Sequence, residues 1–167
     1  MENRIKVAVL VVKPLADTLF NEENLSFLHT FADTNNVREL PETMTAPFMM
    51  DCLEGAQACI TSWRTPAFTQ EMLAKLPDLK FIAHAAGSVR NLVPAGFWDS
   101  GRRITSNAMI IAEDVAQTTL ALILTSLKGL WQQREMTRKG EWVGGERKQI
   151  KTRRLDGLNV GIVGASI

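Results

Sequence analysis

Hydrophobic and polar residues alternate in short blocks along the first hundred positions of the chain. The apolar run from Ile5 to Val12 is nearly continuous, which is typical of a strand covered on both faces. Shorter runs recur at intervals that leave room for helices. The predicted strands are residues 5–12, 37–40, 58–62, 79–84 and 103–106. Five strands with helical crossovers predict an α/β fold in which a parallel sheet carries helices on both faces, and a flavodoxin-like strand order is the common solution.

Capping residues and prolines mark the helices between these strands. Asn21 is followed by two acidic residues, which are favourable in the first turn of a helix. Thr45 can cap a helix that ends before Gly55, and Pro77 ends another. The predicted helical segments start at about residue 21 and cover residues 45–53, 69–76 and 94–99.

The texture of the sequence changes after Asn107. Residues 110–138 are predicted to form one long helix, which is apolar nearly all round from Val115 to Leu127 and is therefore expected to be buried on more than one side. We accordingly divide the chain into a flavodoxin-like domain at residues 1–107 and a second region at residues 108–167.

The last ten residues predict a strand that runs into a glycine. A strand, a glycine turn and a helix N-terminus together bind phosphate, and the full pattern is G-x-G-x-x-G. Gly164 fits its first glycine, whereas Ser166 stands at the second. Alternatively, Gly164 merely closes a buried strand. Because so apolar a strand needs neighbours, we interpret residues 157–167 as the truncated start of a Rossmann domain and the chain as a fragment.

Composition and charge narrow the classes of function. The chain has 167 residues, of which 46% are hydrophobic and 22% charged, and its net charge is +1. These values exclude disordered and disulfide-scaffold classes and give no overall field that would attract nucleic acid or acidic membranes. Cys52 and Cys59 fit no common zinc spacing and indicate a reduced compartment. We expect a cytoplasmic protein without a spanning segment, because the most apolar stretch, residues 120–124, is far below the ~18 residues required.

Four short segments follow one another along the chain in an order that is informative when they are taken together. Residues 79–91 read LKFIAHAAGSVRN, residues 115–119 read VAQTT, Gly140 is followed by Trp142, and residues 155–164 read LDGLNVGIVG. Together they resemble the D-isomer-specific 2-hydroxyacid dehydrogenase family over nearly the whole chain, but only over the front half of a family member. Three departures indicate a divergent subgroup, because Arg90, Gln117 and Ser166 stand where the family has Asp, Glu and Gly.

The resemblance implies two α/β domains that face each other across a cleft. The first binds a 2-hydroxy or 2-keto acid, the second binds NAD or NADP, and hydride passes between nicotinamide C4 and substrate C2. By the same resemblance, the backbone amides of Ala86, Gly87 and Ser88 hold the substrate carboxylate. Exposed amides of small residues form an anion-binding nest, although a plain turn that ends a strand would show the same residues.

Further residues are candidates for substrate or cofactor binding, and some of them also have a purely structural interpretation. Trp63 and Arg64 come after the third strand, where they could wall the pocket and attract a carboxylate, or be a buried Trp and a solvated Arg. The resemblance places Thr119, Gly164 and Ser166 near the cofactor. Alternatively, the Thr119 hydroxyl bonds back to the preceding helical turn.

Catalytic residues are not assigned within the chain, and no metal site is expected. The resemblance places the acid–base His, its supporting Glu and the substrate Arg beyond residue 167. His29 lies in the first predicted helix, and His84 ends the fourth strand near the glycine turn. Neither has an evident orienting carboxylate, so we expect the chain alone to lack hydride transfer.

Two functions are compatible with this pattern. The first is the N-terminal part of an NAD(P)-dependent 2-hydroxyacid dehydrogenase. The second is a non-catalytic flavodoxin-like module that binds a ligand or regulates. The VAQTT helix and the strand before Gly164 favour the first. The resemblance also implies a homodimer through residues 110–138, whose apolar face comprises Leu120, Ile123, Leu124, Leu127 and Trp131.

Overall fold

The computed structural model describes residues 4–34, 37–141 and 150–164. The chain divides into two compact units, Met1–Met109 and Ile110–Ile167. The first unit holds all the strands of the described residues, and the second consists of helix and irregular segments.

The first unit is built on a five-stranded parallel sheet with the order β2-β1-β3-β4-β5. Its strands are β1 (Ile5–Leu10), β2 (Ala32–Asp33), β3 (Ala58–Thr61), β4 (Phe81–His84) and β5 (Arg103–Ser106). Its helices are α1 (Lys13–Leu19), α2 (Glu22–Leu28), α3 (Ala46–Leu53) and α4 (Gln70–Ala74), with 3₁₀ turns at Val37–Glu39 and Ala95–Phe97. The predicted flavodoxin-like order is therefore confirmed.

Side-chain caps begin three of the helices. Asn21 Oδ1 accepts the N–H of Asn24 at 2.8 Å, so α2 begins at the predicted place. Thr45 and Thr69 cap α3 and α4 in the same way, because each hydroxyl oxygen accepts the N–H of the residue three positions later. The predicted starts near residues 21, 45 and 69 are confirmed.

Strand β1 separates two apolar layers. Alternate side chains of Ala8, Leu10 and Val12 pack with Met49 and Leu53 of α3. Val9 and Val11 face the other side, where they contact Ala16 of α1 and Leu40. Both faces of the strand are therefore covered, as its nearly continuous apolar sequence predicts.

The predicted strand at residues 37–40 is wrong. This segment is a 3₁₀ turn, and the edge strand is instead the two-residue β2, in which Ala32 pairs with Ile5. The side chain of Leu40 packs against β1 from outside the sheet, so its hydrophobicity marks a core contact rather than a strand. The sequence also did not predict α1, in which Pro14 occupies the first turn, a position where the missing N–H costs nothing.

Arg102 ties the end of α4 to the sheet. Its Nη2 donates to the carbonyls of Leu73 and Leu76, each at 2.8 Å, and its Nε donates to the carbonyl of Leu79 at 2.9 Å. The carbonyls of Leu73 and Leu76 also accept backbone N–H groups, so this guanidinium adds charged hydrogen bonds to the segment that ends α4.

The second unit begins with two helices rather than the predicted single one. Helix α5 (Ala108–Leu127) and helix α6 (Leu130–Arg138) meet at Gly129, which has φ +61° in the left-handed region. The predicted burial of α5 is also wrong, because none of its residues is buried. Among its apolar residues, Leu120, Leu122 and Leu124 are exposed.

Helix α5 is long and apolar enough to cross a membrane, contrary to the expectation from residues 120–124 alone. This observation rests only on the length and the composition of the helix. A helix made for a protein interior or an interface meets the same criterion, so the feature does not by itself indicate a membrane.

The strand predicted before Gly164 is not present in the described residues 150–164. Ile162 is 84% exposed and Val163 is fully exposed. A strand is held by hydrogen bonds to a neighbouring strand, and no described strand pairs with this segment. Ser166 and Trp142 lie outside the described residues.

Candidate functional site

The carboxyl ends of the parallel strands meet at one edge of the sheet, where open α/β sheets bind their ligands. Among the described residues, the buried polar side chains are Thr61, Ser62 and His84. All three lie at this edge, at the ends of β3 and β4, and Thr61 is paired directly with His84. Buried polar groups are costly unless they are hydrogen-bonded, so this cluster must be held by specific partners.

Hydroxyl groups join the loops that follow three strands. Thr65 Oγ1 donates to the carbonyl of Leu10 at 2.6 Å and accepts the N–H of Ser62 at 3.0 Å. Ser62 Oγ donates in turn to the carbonyl of Ala85 at 3.1 Å. The end of β1, the loop after β3 and the start of the turn after β4 are therefore linked.

The turn at residues 85–88 uses its carbonyl groups inside the protein. The carbonyl of Ala85 accepts from Ser62, and that of Ala86 accepts the N–H of Asn107 at 2.9 Å. By contrast, the N–H groups of Ala86, Gly87 and Ser88 meet no acceptor within the described parts of the chain. Successive free N–H groups in a turn form a concave site that favours an anion.

His84 lies directly before this turn and is buried. Its Nδ1 is 2.9 Å from Thr61 Oγ1. Burial lowers the pKa of His84, and a hydrogen bond to the backbone of Ser88 opposes that effect to a smaller extent. The imidazole is accordingly neutral at pH 7.

The loop after β3 carries the two other residues predicted for the substrate. Trp63 is 53% exposed, and Arg64 is also exposed. Arg64 has φ +69° and is the one non-glycine residue with positive φ in the described chain. A side chain in this conformation costs of order 1 kcal/mol, and such strain is found preferentially at functional sites.

The residues predicted for the cofactor lie in the second unit. The Thr119 hydroxyl donates to the carbonyl of Val115 at 2.7 Å, which is the intrahelical bond of the alternative interpretation. Gly164 is exposed and has φ +101°. No group of three or more His, Cys, Asp or Glu in the described residues could hold a metal ion.

Sequence reasoning did not single out Thr61 or Thr65. Thr61 ends the short apolar strand β3 and Thr65 lies in the loop after it. A hydroxyl residue at the end of such a strand is the sequence signal that could have indicated them. Cys59 precedes them on β3, and its complete burial raises the pKa of the thiol strongly, so it does not act as a nucleophile at this edge.

The fold and this edge define a flavodoxin-like α/β protein with a donor-rich turn where ligands bind. Two plant proteins are similar in sequence. The chain is 29% identical over 94 residues to glyoxylate/hydroxypyruvate reductase A HPR2 of Arabidopsis thaliana, covering 56% of this chain and 29% of that protein. It is 26% identical over 157 residues to glyoxylate/hydroxypyruvate reductase HPR3 of the same plant, covering 93% and 46%. The chain thus spans less than half the length of either relative. No protein-family model matches it.

Solved structures share the fold. One is D-lactate dehydrogenase from Aquifex aeolicus complexed with NAD and lactic acid, with a TM-score of 0.57, 21% identity, and coverage of 88% of this chain and 41% of that one. Another is NADPH-dependent glyoxylate/hydroxypyruvate reductase from Sinorhizobium meliloti, with a TM-score of 0.56, 18% identity, and coverage of 94% and 44%. The predicted resemblance to D-isomer-specific 2-hydroxyacid dehydrogenases is confirmed.

Proposed function

We propose that this chain is the acid-binding part of an NAD(P)-dependent oxidoreductase that reduces a 2-keto acid to a D-2-hydroxy acid. The observation that carries the proposal is the turn at residues 85–88, in which the carbonyls of Ala85 and Ala86 accept hydrogen bonds while the N–H groups of Ala86, Gly87 and Ser88 meet no described acceptor. The two sequence relatives are named as reductases of glyoxylate and hydroxypyruvate, which supports a small 2-keto acid as substrate.

In this proposal the substrate carboxylate accepts hydrogen bonds mainly from the free amides of Gly87 and Ser88, because Ala86 is buried. The exposed cation of Arg64, on the loop joined to the turn through Ser62 and Ala85, attracts the same carboxylate. The strained backbone of Arg64 aims this loop, and Trp63 walls the pocket. Residues 1–107 thus form the substrate domain, in the cytoplasm.

When bound, the reduced cofactor, NADH or NADPH, would supply the hydride. We propose that Thr119, Gly164 and Ser166 belong to the cofactor side, within the linking helix and opening segment at residues 108–167. His84 is not proposed as the acid, because its partners are Thr61 and Ser88 and no carboxylate orients it. The 167-residue chain expressed alone is therefore expected to bind the acid without transferring hydride.

A direct test is a titration of the ¹⁵N-labelled chain with glyoxylate, followed by amide chemical shifts. We expect the largest shifts at Ala86, Gly87 and Ser88, and an affinity reduced about tenfold or more in Arg64→Gln, since a charged hydrogen bond contributes roughly 1.5 kcal/mol or more. Glycolaldehyde, which lacks the carboxylate, is the control ligand. Saturable shifts that avoid the turn would contradict the assigned site.

A second test separates the enzyme from a non-catalytic flavodoxin-like module. The dehydrogenase hypothesis predicts a native reading frame with a glycine two positions after Ile167, and later an Arg, a Glu and a His in that order. A reading frame without these residues, or a longer product that binds the acid yet never oxidises NADH or NADPH, would favour the module.

We also propose a homodimer through residues 110–138. Beside α5 lies a groove of about 560 Å³, lined by Leu122, Ile123 and Leu127 and by the cations Lys151 and Arg153. Pairing of two copies along this helix would cover these apolar positions, and its exposed apolar residues continue at Leu120 and Leu124.

Sedimentation equilibrium of groove variants tests this pairing. We expect Leu122→Glu with Ile123→Glu to weaken the dimer, because the pairing would place these charges in an apolar contact. Glu113→Lys with Asp114→Lys is the matched control, because the helical period places both residues off the groove face. A wild-type chain that stays monomeric at micromolar concentration, or a Leu122→Glu, Ile123→Glu chain that associates as well as wild type, would rule the arrangement out.

A further inference from the structure

His84 is a buried polar side chain for which the proposed chemistry has no use. It is 6% exposed, and Thr61, its cross-strand neighbour, is completely buried. Placing two hydrogen-bonding side chains in the interior costs free energy that an apolar pair of similar shape would not. Their position at the last residue pair of β3 and β4, where the anion-binding turn starts, points to a role in that turn.

The donor and acceptor roles in the contact between these side chains depend on the tautomer of His84. Thr61 Oγ1 and His84 Nδ1 are 2.9 Å apart. A neutral imidazole with its proton on Nε2 accepts from the Thr61 hydroxyl through Nδ1. The remaining N–H is then free to donate to a backbone carbonyl, and the His84 ring has a favourable interaction with the backbone of Ser88.

Both ends of the turn are thereby connected to β3. At its start, Ala85 donates its N–H to the carbonyl of Thr61 at 2.7 Å and accepts from Ser62. At its end, Ser88 interacts with the imidazole that Thr61 holds in place. Rotation of the peptide planes between residues 85 and 88 would break one of these contacts.

We propose that His84 is a positioning residue that, together with Thr61, keeps the N–H groups of residues 86–88 facing a bound carboxylate. The inference rests on the proposed function, because it assumes that this turn binds the acid. His84 itself touches neither the substrate nor the cofactor in this role. A hydrogen-bonded strut at a binding turn works by preorganisation, since the amides need no reorientation when the anion arrives.

Three variants test the strut in the ¹⁵N-labelled chain. In Thr61→Val the shape is kept and the hydroxyl is lost, whereas in His84→Leu the imidazole is lost. His84→Asn keeps an acceptor near the position of Nδ1 and is the conservative rescue. We expect glyoxylate to bind about five- to tenfold more weakly to the first two, the effect of losing one preorganising hydrogen bond, and nearly as well to His84→Asn as to wild type.

Two readouts distinguish positioning from general structural damage. The amide shifts of Gly87 and Ser88 in the free protein should move in Thr61→Val and His84→Leu and return in His84→Asn, while those of α3 stay unchanged. The double variant Thr61→Val, His84→Leu should lose no more affinity than either single variant, because both remove the same contact.

The outcomes separate this inference from the proposed function. If wild type shows no glyoxylate-dependent shifts at residues 86–88, the proposed function fails. If wild type binds there and all variants bind equally well, the function stands and the strut is wrong. Should His84→Leu not fold, Thr61→Val with Thr61→Ser as its rescue decides the question, because a restored hydroxyl must restore affinity.

Discussion

Leu53 and Leu122 both lie in apolar helices, yet their environments are opposite. Leu53 ends α3 and is completely buried under the sheet of the first unit. Leu122 lies in α5 of the second unit and is 53% exposed. The first unit buries both faces of its sheet, although its helix α2 has no buried residue, whereas in the second the 20-residue helix α5 has none.

This contrast shows that apolar helix positions have different roles in the two units. In the first unit, hydrophobic positions report burial within the unit itself, and removing one leaves a cavity. In the second unit they report surface suited to a further partner, which we propose is a second copy together with the cofactor side of the protein. Large exposed apolar patches commonly mark such contacts.

The largest expected effect contrasts these two leucines directly. Leu53→Ala should lower the free energy of unfolding by about 3 kcal/mol, because it opens a cavity in the core. Leu122→Ala should change it by less than about 0.5 kcal/mol in dilute solution, where α5 is uncovered. Urea unfolding followed by circular dichroism measures both. Equal losses would show that α5 is as well packed as α3.

Arg102 should give the next largest effect, within the first unit. Arg102→Met retains much of the aliphatic stem but leaves the carbonyls of Leu73, Leu76 and Leu79 without this donor, and we expect a loss of about 2 kcal/mol. Arg103→Met is the matched control, because the neighbouring side chain is exposed and makes no hydrogen bond in the described residues. Thermal unfolding of the two variants should differ clearly; similar midpoints would dismiss the Arg102 clamp.

A smaller effect is expected at the break between α5 and α6. Gly129→Ala places a side chain at φ +61° and against Ile150, whereas Gly101→Ala places one at φ +72° in open space. The second variant should lose about 1 kcal/mol from backbone strain alone, and the first should lose more. Combining Gly129→Ala with Ile150→Ala should remove the excess. Differential scanning calorimetry can compare the three, and no excess at Gly129 would argue against the contact with Ile150.

The smallest effect is a pH dependence from His84. Burial lowers the pKa of His84 in the folded protein, so below the ordinary value near 6.5 the unfolded chain binds the proton more readily. Stability should therefore be complete above about pH 6.5 and fall as the pH drops toward the lowered pKa. Melting temperatures between pH 7.5 and 5 test this, with His84→Asn expected to lose the dependence. The His29→Asn variant should retain it, and a His84→Asn profile identical to wild type would refute the assignment.

Much of the first unit was predictable from local signals. The cap residues Asn21, Thr45 and Thr69 start helices through bonds to amides three residues away, so the sequence contains both partners. The failures occurred where a distant contact decided. Leu40 has the hydrophobicity of a strand residue, but its side chain packs against Val9 and Val11 of the sheet instead. The edge strand that pairs with β1 is the two-residue β2.

The candidate site divides in the same way. The small residues of the turn at 85–88 are visible in the sequence as a donor-rich segment. Which of its polar groups are already used is not visible, because the bonds come from Ser62, Asn107 and His84 in other strands or loops. The backbone strain at Arg64 is likewise a product of its surroundings.

The amino-acid sequence alone determined the class of sheet, the helix starts and the position of the turn, since these depend on periodicity and on neighbours within four residues. Tertiary structure alone decided that the carbonyls of Ala85 and Ala86 accept hydrogen bonds within the protein, that His84 is bound to Thr61, and that α5 has no buried residue. Hydrogen bonds and burial between distant segments depend on which groups the fold brings together, and this pairing is settled only when the whole unit has packed.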